Sequence, residues 1–439
     1  LSDLLIKNCS VLQLNDDGSR AEVLTDRDIL VRGNLIEAVQ PTLLADESHF
    51  LTCIDARGML AMPGLINTHA HVPMVLFRGL AEDVSLERWL NDCIWPMESH
   101  LTPEDVYWGM LLGLIEMIEA GVTAVADHYF YMDSAAEALE KAGIRANLSW
   151  AMFGSQGNSI IERTSAFVRQ WQGAANGRIR TMIAPHAPYT CDDDFLRLAV
   201  KAAEKLGVGI HIHVSETKKQ TETSSHSRGL TPIQILERTG VLTVPTILAH
   251  ACGALPSDIE ILAQYQDRVG IAHAPKTYLK LAMDIAPVTE FRQAGLSVGL
   301  ATDGAASNST LDLWESLRLL AMMQKFCQKT PEVLSVSEAL YIATVESGCV
   351  FGLQDQLGRV ESGYLADLIL IDLSGVHHQP NHNIPANLVY SLRPEDVQTV
   401  IIDGQIVMRS RQILTLDKTE VINQVGLSLN RLQQRQKQT

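Results

Sequence analysis

Between residues 61 and 355 the chain alternates short apolar runs with amphipathic stretches of helical length. The expected strands are the run ahead of His69, then 123–126, 146–149, 181–184, 208–213, 246–249, 269–272 and 297–301. The expected helices are 103–120, 134–142, 193–205, 231–239, 257–264, 286–294 and 311–324. Buried parallel strands read as apolar runs, and their crossovers read as helices with one apolar stripe. Eight such strands predict an α/β fold of the (β/α)8 TIM type. The two ends have a different texture. Short β-type runs at 4–8, 28–32 and 35–39 are separated by turn residues, and runs at 366–373 and 397–402 precede an Asp403-Gly404 hairpin turn. The expected organisation is therefore a small β-sandwich built from both termini around the barrel. Its N-terminal part is 1–60, the catalytic barrel is 61–355, and its C-terminal part with a terminal helix is 356–439. The Gln- and Arg-rich end of that helix is expected to fray.

Composition narrows the partners. With 35 basic and 51 acidic side chains the net charge is −16. Phosphate backbones and anionic lipids call for a basic patch, so neither nucleic acid nor a membrane surface is an expected partner. There is no charge-free apolar run of bilayer length and no N-terminal signal pattern. Seven scattered cysteines without a Cys-x-x-Cys pair fit reduced thiols in a cytoplasmic protein.

The chemistry lies where the barrel strands end. Thr68-His69-Ala70-His71 closes the first apolar run, and residues i and i+2 of a strand share a face. Three further signals follow in order: His213 in His-Ile-His-Val-Ser-Glu216, His250 in Ile-Leu-Ala-His, and Asp303 in Ala-Thr-Asp-Gly304. One His-x-His is weak evidence; the ordered set at successive strand ends is strong. Three imidazoles and a carboxylate suit a divalent first-row ion, zinc first, with iron or manganese as alternatives. We assign His69, His71, His213 and Asp303 as ligands of one ion per subunit. The fourth strand, Thr181-Met-Ile-Ala184, has no lysine to bridge a second ion. A divalent ion lowers the pKa of bound water toward neutrality. Asp303 can accept that water's proton, Glu216 can hand a proton to the substrate, and His250 can hydrogen-bond the attacking oxygen. Blander readings are a polar strand end for His213, a loop carboxylate for Glu216 and a packed core residue for His250. His128 and His273 also end strands; His128 reads as structural ahead of lining the pocket, and His273 as a residue behind the ligands. His377, His378 and His382 read as a surface loop without ligand geometry.

At these residues the chain resembles the amidohydrolase superfamily, and within it the 5′-methylthioadenosine/S-adenosylhomocysteine deaminases. The resemblance spans nearly the whole chain. It rests on Pro63-Gly-Leu-Ile-Asn-Thr-His-Ala-His71, Ile94-Trp-Pro-Met-Glu98, Pro185-His-Ala-Pro-Tyr-Thr190 and Thr302-Asp-Gly-Ala-Ala-Ser-Asn308. It implies hydrolytic removal of the adenine 6-amino group of 5′-methylthioadenosine, adenosine or S-adenosylhomocysteine, giving an inosine-type product and ammonia. It also implies a homo-oligomer. By the same resemblance Glu98 holds the ribose hydroxyls and His186 contacts the nucleoside. Some relatives grip the homocysteine carboxylate with an arginine at the end of the third strand. Trp150 stands at that position here, with Arg163 downstream as a substitute, and an indole cannot pair with a carboxylate. Methylthioadenosine or adenosine is therefore expected ahead of S-adenosylhomocysteine. The chain also departs from the family pattern at His250-Ala-Cys-Gly253 and at His273-Ala-Pro-Lys-Thr-Tyr278. A hydrolase of another amino-heterocycle, of the guanine, pterin or triazine type, is the alternative. A barrel that binds without catalysis is the third reading.

Overall fold

The computed structural model describes residues 3–42 and 50–438. Eight parallel barrel strands follow in order: Leu65–His71, Val122–Tyr129, Arg145–Met152, Ile179–Pro185, Gly209–Val214, Thr246–His250, Val269–His273 and Ser297–Leu300. Each pairs with the next in chain order. All lie near the expected positions, with ends shifted by a few residues. Every residue of the second, third and fifth to seventh strands is buried, because helices cover the outside and side chains fill the inside.

Closure depends on a break in the eighth strand. Ser297–Leu300 pairs with the seventh strand, and then Asp303–Gly304 pairs with the first. Side chains bridge the gap: Asn67 Nδ2 donates to Thr302 Oγ1 (2.7 Å), Thr302 N to Asn67 Oδ1 (3.1 Å) and Thr68 Oγ1 to the Leu300 carbonyl (2.9 Å). The resulting register sets Asp303 opposite Ala70, the residue between the two histidines of the first strand.

The helices obey local rules. Asp193–Leu206 opens with Asp192 accepting from Phe195 N and ends at Gly207 with φ 68°. It buries Phe195, Leu196, Ala199, Val200, Ala202 and Ala203, which form one stripe. A helix the sequence reading passed over, Gly157–Trp171, follows the third strand. Its Gly-Asn-Ser opening and β-branched residues are poor helix formers, yet Ile160, Phe167, Val168 and Trp171 recur on one buried face. The tail is helical from Lys418 to Gln438. Val421, Val425 and Leu432 are buried, Arg431 reaches Glu104 (3.0 Å), and Arg435 bonds Asp105 and the His100 carbonyl. No helix among the described residues is long and apolar enough to cross a membrane.

Strands from both termini form one mixed sheet, in which Met59–Pro63 pairs with Leu368–Asp372. Residues from strands far apart in that sheet, among them Ile36, Leu4 and Ile401, share a second core. The sheet therefore folds over itself, and the Ala366 amide donates to the Asn34 carbonyl (2.8 Å). Asp403 and Gly404, at φ 53° and 75°, make the expected two-residue hairpin turn.

One buried ion cluster fastens this sheet to the barrel. Arg145, which opens the third strand, donates to both Asp367 oxygens (2.8 and 2.9 Å) and to Asp403 (3.0 Å). Replacing Arg145 by alanine strands two carboxylates among buried groups. Such a deletion costs about 3–5 kcal/mol, so the urea midpoint should fall sharply. A shift below about 1 kcal/mol would remove the cluster from the junction's energetics.

Candidate metal centre and active site

The C-terminal ends of the strands converge on one cavity, the usual place for a barrel's active site. His71, Glu98, His128, His186, His213, Glu216, His250 and Asp303 all line it. His69 sits at its base, fully buried. His71 Nε2 is 3.2 Å and His69 Nε2 3.5 Å from Asp303 Oδ1, and the Nε2 atoms of His71 and His213 are 3.3 Å apart. Donors around a single ion with bonds near 2.0–2.2 Å lie about 3–3.5 Å from each other. The sets His69, His213, His250 and His69, His71, Asp303 could each hold a metal ion.

The remaining ring atoms are already oriented. His71 Nδ1 bonds the His128 carbonyl, His213 Nδ1 the His186 carbonyl (2.9 Å), and His69 Nδ1 lies 2.8 Å from His211 Nε2. Ser307 Oγ donates to the far oxygen of Asp303 at 2.7 Å. These partners turn the ligating atoms inward, as outer partners do at metal sites. His69 Nε2 is buried without a hydrogen-bond partner. An unpartnered buried nitrogen is costly unless something ligates it, so these residues fit a cation.

The electrostatics agree. Burial pulls His69 down to about 3. Burial also works against His71, but Asp303, the His128 carbonyl and Asp127 outweigh it and carry His71 up to about 9. Burial opposes ionisation of Asp303 as well, yet its two histidine neighbours hold it well below the usual carboxylate range. Burial and the neighbouring histidines likewise hold His213 well below the ordinary imidazole range, so His69 and His213 keep free lone pairs while Asp303 keeps its negative charge, the protonation states that a cation requires.

Glu98 stands across the cavity on the helix Trp95–Glu98. Burial pushes its pKa up to about 7, against the pull of the Tyr129 hydroxyl, which donates to Oε1 at 2.6 Å. His186 stacks on Phe153 (4.8 Å, 22°), with Nδ1 2.9 Å from Thr190 Oγ1. Glu216 is buried, and its Oε1 has no partner.

Trp150 and Arg163 are placed elsewhere. Side chains alternate along the third strand, so Ser149 and Ala151 face inward while Trp150 faces the surrounding helices. Its ring meets Phe167 edge-on at 5.8 Å and lies under the Arg163 guanidinium at 4.5 Å. Neither side chain is among those lining the cavity. The preference against a carboxylate-bearing substrate, argued from the indole, therefore loses its basis.

Several contributors escaped the sequence reading. His211 supports His69; its signal was a second His-x-His, His211-Ile-His213, which period 2 places on one face. Tyr129 holds Glu98 and Ser307 holds Asp303, and no local pattern announces either. His128, for which the sequence left open a structural or a pocket-lining role, both lines the cavity and offers its carbonyl to His71. His273 is buried with both ring nitrogens unpartnered, 5.2 Å from the Tyr278 ring.

A closed barrel with a His- and Asp-rich metal site at its C-terminal mouth defines a metal-dependent hydrolase. Residues 60–407 match the amidohydrolase family model. A 5-methylthioadenosine/S-adenosylhomocysteine deaminase of Dictyoglomus turgidum is 41% identical over 95% of this chain and 96% of its own. Among solved structures, a zinc-bound adenosine deaminase from Xanthomonas campestris superposes with a TM-score of 0.92 at 30% identity, covering 99% of both chains. Zinc-bound atrazine chlorohydrolase from Arthrobacter aurescens gives 0.89 at 26% identity, over 97% of this chain and all of that one. The chain belongs to the amidohydrolase family, and within it to the 5-methylthioadenosine/S-adenosylhomocysteine deaminase family.

Proposed function

We propose that this protein is a zinc-dependent aminohydrolase of adenine nucleosides of the 5′-methylthioadenosine, adenosine and S-adenosylhomocysteine type, replacing the 6-amino group by oxygen and releasing ammonia. The observation that carries the reading is the half-buried carboxylate of Glu98, which lines the same cavity as the histidine and aspartate cluster. A ribose diol can donate two hydrogen bonds to one carboxylate, a strong pairing when ionised and away from water. The names of the relatives support the same substrate class. His69, His71, His213 and Asp303 would hold the zinc, whose contribution is a Lewis acid and an activated water. Asp303 takes the proton of the attacking water. Glu216 hands a proton to the purine as the amino group leaves. His250 hydrogen-bonds the attacking oxygen, and His186, braced by Phe153, borders the nucleoside. The occupant is a small molecule, and seven scattered cysteines without a Cys-x-x-Cys pair suit a cytoplasmic setting.

The test is ammonia release from 5′-methylthioadenosine, adenosine and S-adenosylhomocysteine by zinc-loaded protein. No release from any of them would end the proposal. The likeness to the triazine-type hydrolase keeps a free amino-heterocycle as the second reading, and Glu98 separates the two. Glu98→Gln should raise KM for a nucleoside by about 10–100-fold, the loss of one or two charge-assisted hydrogen bonds. It should leave a base without ribose nearly unaffected. The wild-type KM should also rise as pH falls through about 7, because a protonated Glu98 accepts the diol poorly. A KM flat across that range would remove Glu98 from ribose binding.

A further inference from the structure

A second histidine cluster lies outside the cavity, in the C-terminal segment. His377 and His378 sit on the short turn Val376–His378, and Asp396 ends the turn Pro394–Asp396 just ahead of the strand Val397–Ile402. His377 Nε2 is 2.8 Å and His378 Nε2 3.0 Å from the same oxygen, Asp396 Oδ2. The rings are 4.2 Å apart, tilted by 44°. The Arg393 amide donates to that oxygen as well, at 2.9 Å. Three donors on one carboxylate oxygen exceed its two lone pairs. A single cation bound by both imidazole lone pairs and the carboxylate replaces two of those donors and relieves the crowding.

The surroundings hold the arrangement. Gly375 leaves room for the imidazole where it stands, since a Cβ there would come within 2.7 Å of His377 Cε1 and push the ring aside. Asn387 Nδ2 fixes the His378 carbonyl at 3.0 Å. The side chain of His378 is fully buried, whereas those of His377 and Asp396 keep 19% and 12% of their surface. One side thus stays open to water for a fourth ligand. Donor atoms on a tetrahedral zinc lie about 3.3 Å apart, so seating an ion asks the imidazoles and carboxylate to part by only a few tenths of an ångström.

We propose that His377, His378 and Asp396 form a peripheral site for a zinc-class divalent cation, separate from the barrel centre. The cation staples the 376–378 turn to the base of the strand Val397–Ile402. Two imidazoles, one carboxylate and a water make a donor set of borderline softness, which selects zinc-class ions over calcium or magnesium.

Zinc content decides it. Full-length protein is equilibrated with zinc chloride, freed of unbound metal by gel filtration and measured by atomic emission. Wild type should carry two zinc ions per chain, and His377→Ala and Asp396→Asn one each. The double variant His69→Asn/His71→Asn should keep one ion, which is lost when His377→Ala is added. One ion in wild type that disappears in the His69/His71 variant overturns the peripheral site and leaves the barrel centre standing. One ion that survives in that variant and is lost in His377→Ala upholds the peripheral site and instead removes zinc from the barrel. An unchanged count in both His377→Ala and Asp396→Asn also overturns the proposal. His377→Ala alters a partly exposed side chain, and circular dichroism on the same sample checks that the variant folds.

Discussion

Glu216→Gln should lower kcat by about 10²–10⁴-fold, the usual worth of a positioned proton donor, while the zinc content stays at the wild-type level. The carboxylate is buried, borders the cavity with His213 and Asp303, and has one oxygen without a partner. Its backbone amide accepts no freedom either, since it donates to the Gln220 side chain at 3.0 Å. Glutamine keeps the size and the remaining polar contacts but cannot carry a proton. Steady-state kinetics with zinc measured on the same sample gives the answer. A kcat near wild type would place proton transfer on another group, and loss of zinc would make Glu216 part of the metal's support.

Asp303→Asn is expected to remove both tight zinc binding and turnover. The carboxylate is 3.2 Å from His71 Nε2 and 3.5 Å from His69 Nε2, and it is the negative charge toward which these imidazoles are arranged. Asparagine is the informative substitution because Asp303 has φ 65°, a left-handed backbone that asparagine tolerates and alanine does not. It also retains an oxygen for Ser307, so the Asp303–Gly304 pairing with Ala70 and His71 should persist. Ser307→Ala supplies the scale. Removing an outer partner of a ligand weakens metal affinity about 10–100-fold, and Asp303→Asn should exceed that in a chelator competition. Retention of zinc with full activity in Asp303→Asn would exclude the carboxylate both as ligand and as proton acceptor.

Asp303 is not alone in its backbone conformation. Ser215, His250 and Ala251 also have positive φ, 45°, 77° and 52°. These non-glycine residues stand at or just past strand ends beside the site and turn their side chains or those of their neighbours toward the centre. Strain of this kind collects where function requires a particular direction.

The alternation of apolar runs with helical stripes was enough to read the barrel, because a strand covered on both faces reads as one continuous apolar run and a helix covered on one side as a stripe repeating every 3.6 residues. The histidine and aspartate set was legible for the same reason: each lies at a strand end, and barrel geometry brings strand ends together. Gly157–Trp171 was overlooked because weak helix formers masked a regular apolar stripe. Trp150 shows the limit of such reading. A position assigned within one residue of a strand end can fall on either face, and a shift of one exchanges the cavity for the helix layer.

The sequence by itself therefore determined the barrel, the two-ended β module, the family and the candidate histidines and aspartate at the barrel's strand ends. Only the tertiary structure decided which partners hold them. Tyr129 on Glu98, His211 against His69, Ser307 on Asp303, the broken eighth strand and the meeting of His377 and His378 with Asp396 were settled there. The physical reason is range. Periodicity and turn chemistry act within a few residues and leave a trace in each segment. A hydrogen bond between Glu98 and Tyr129, or between His69 and His211, spans 31 or 142 positions. It exists only once strand register and the closing of the barrel have fixed where each side chain ends.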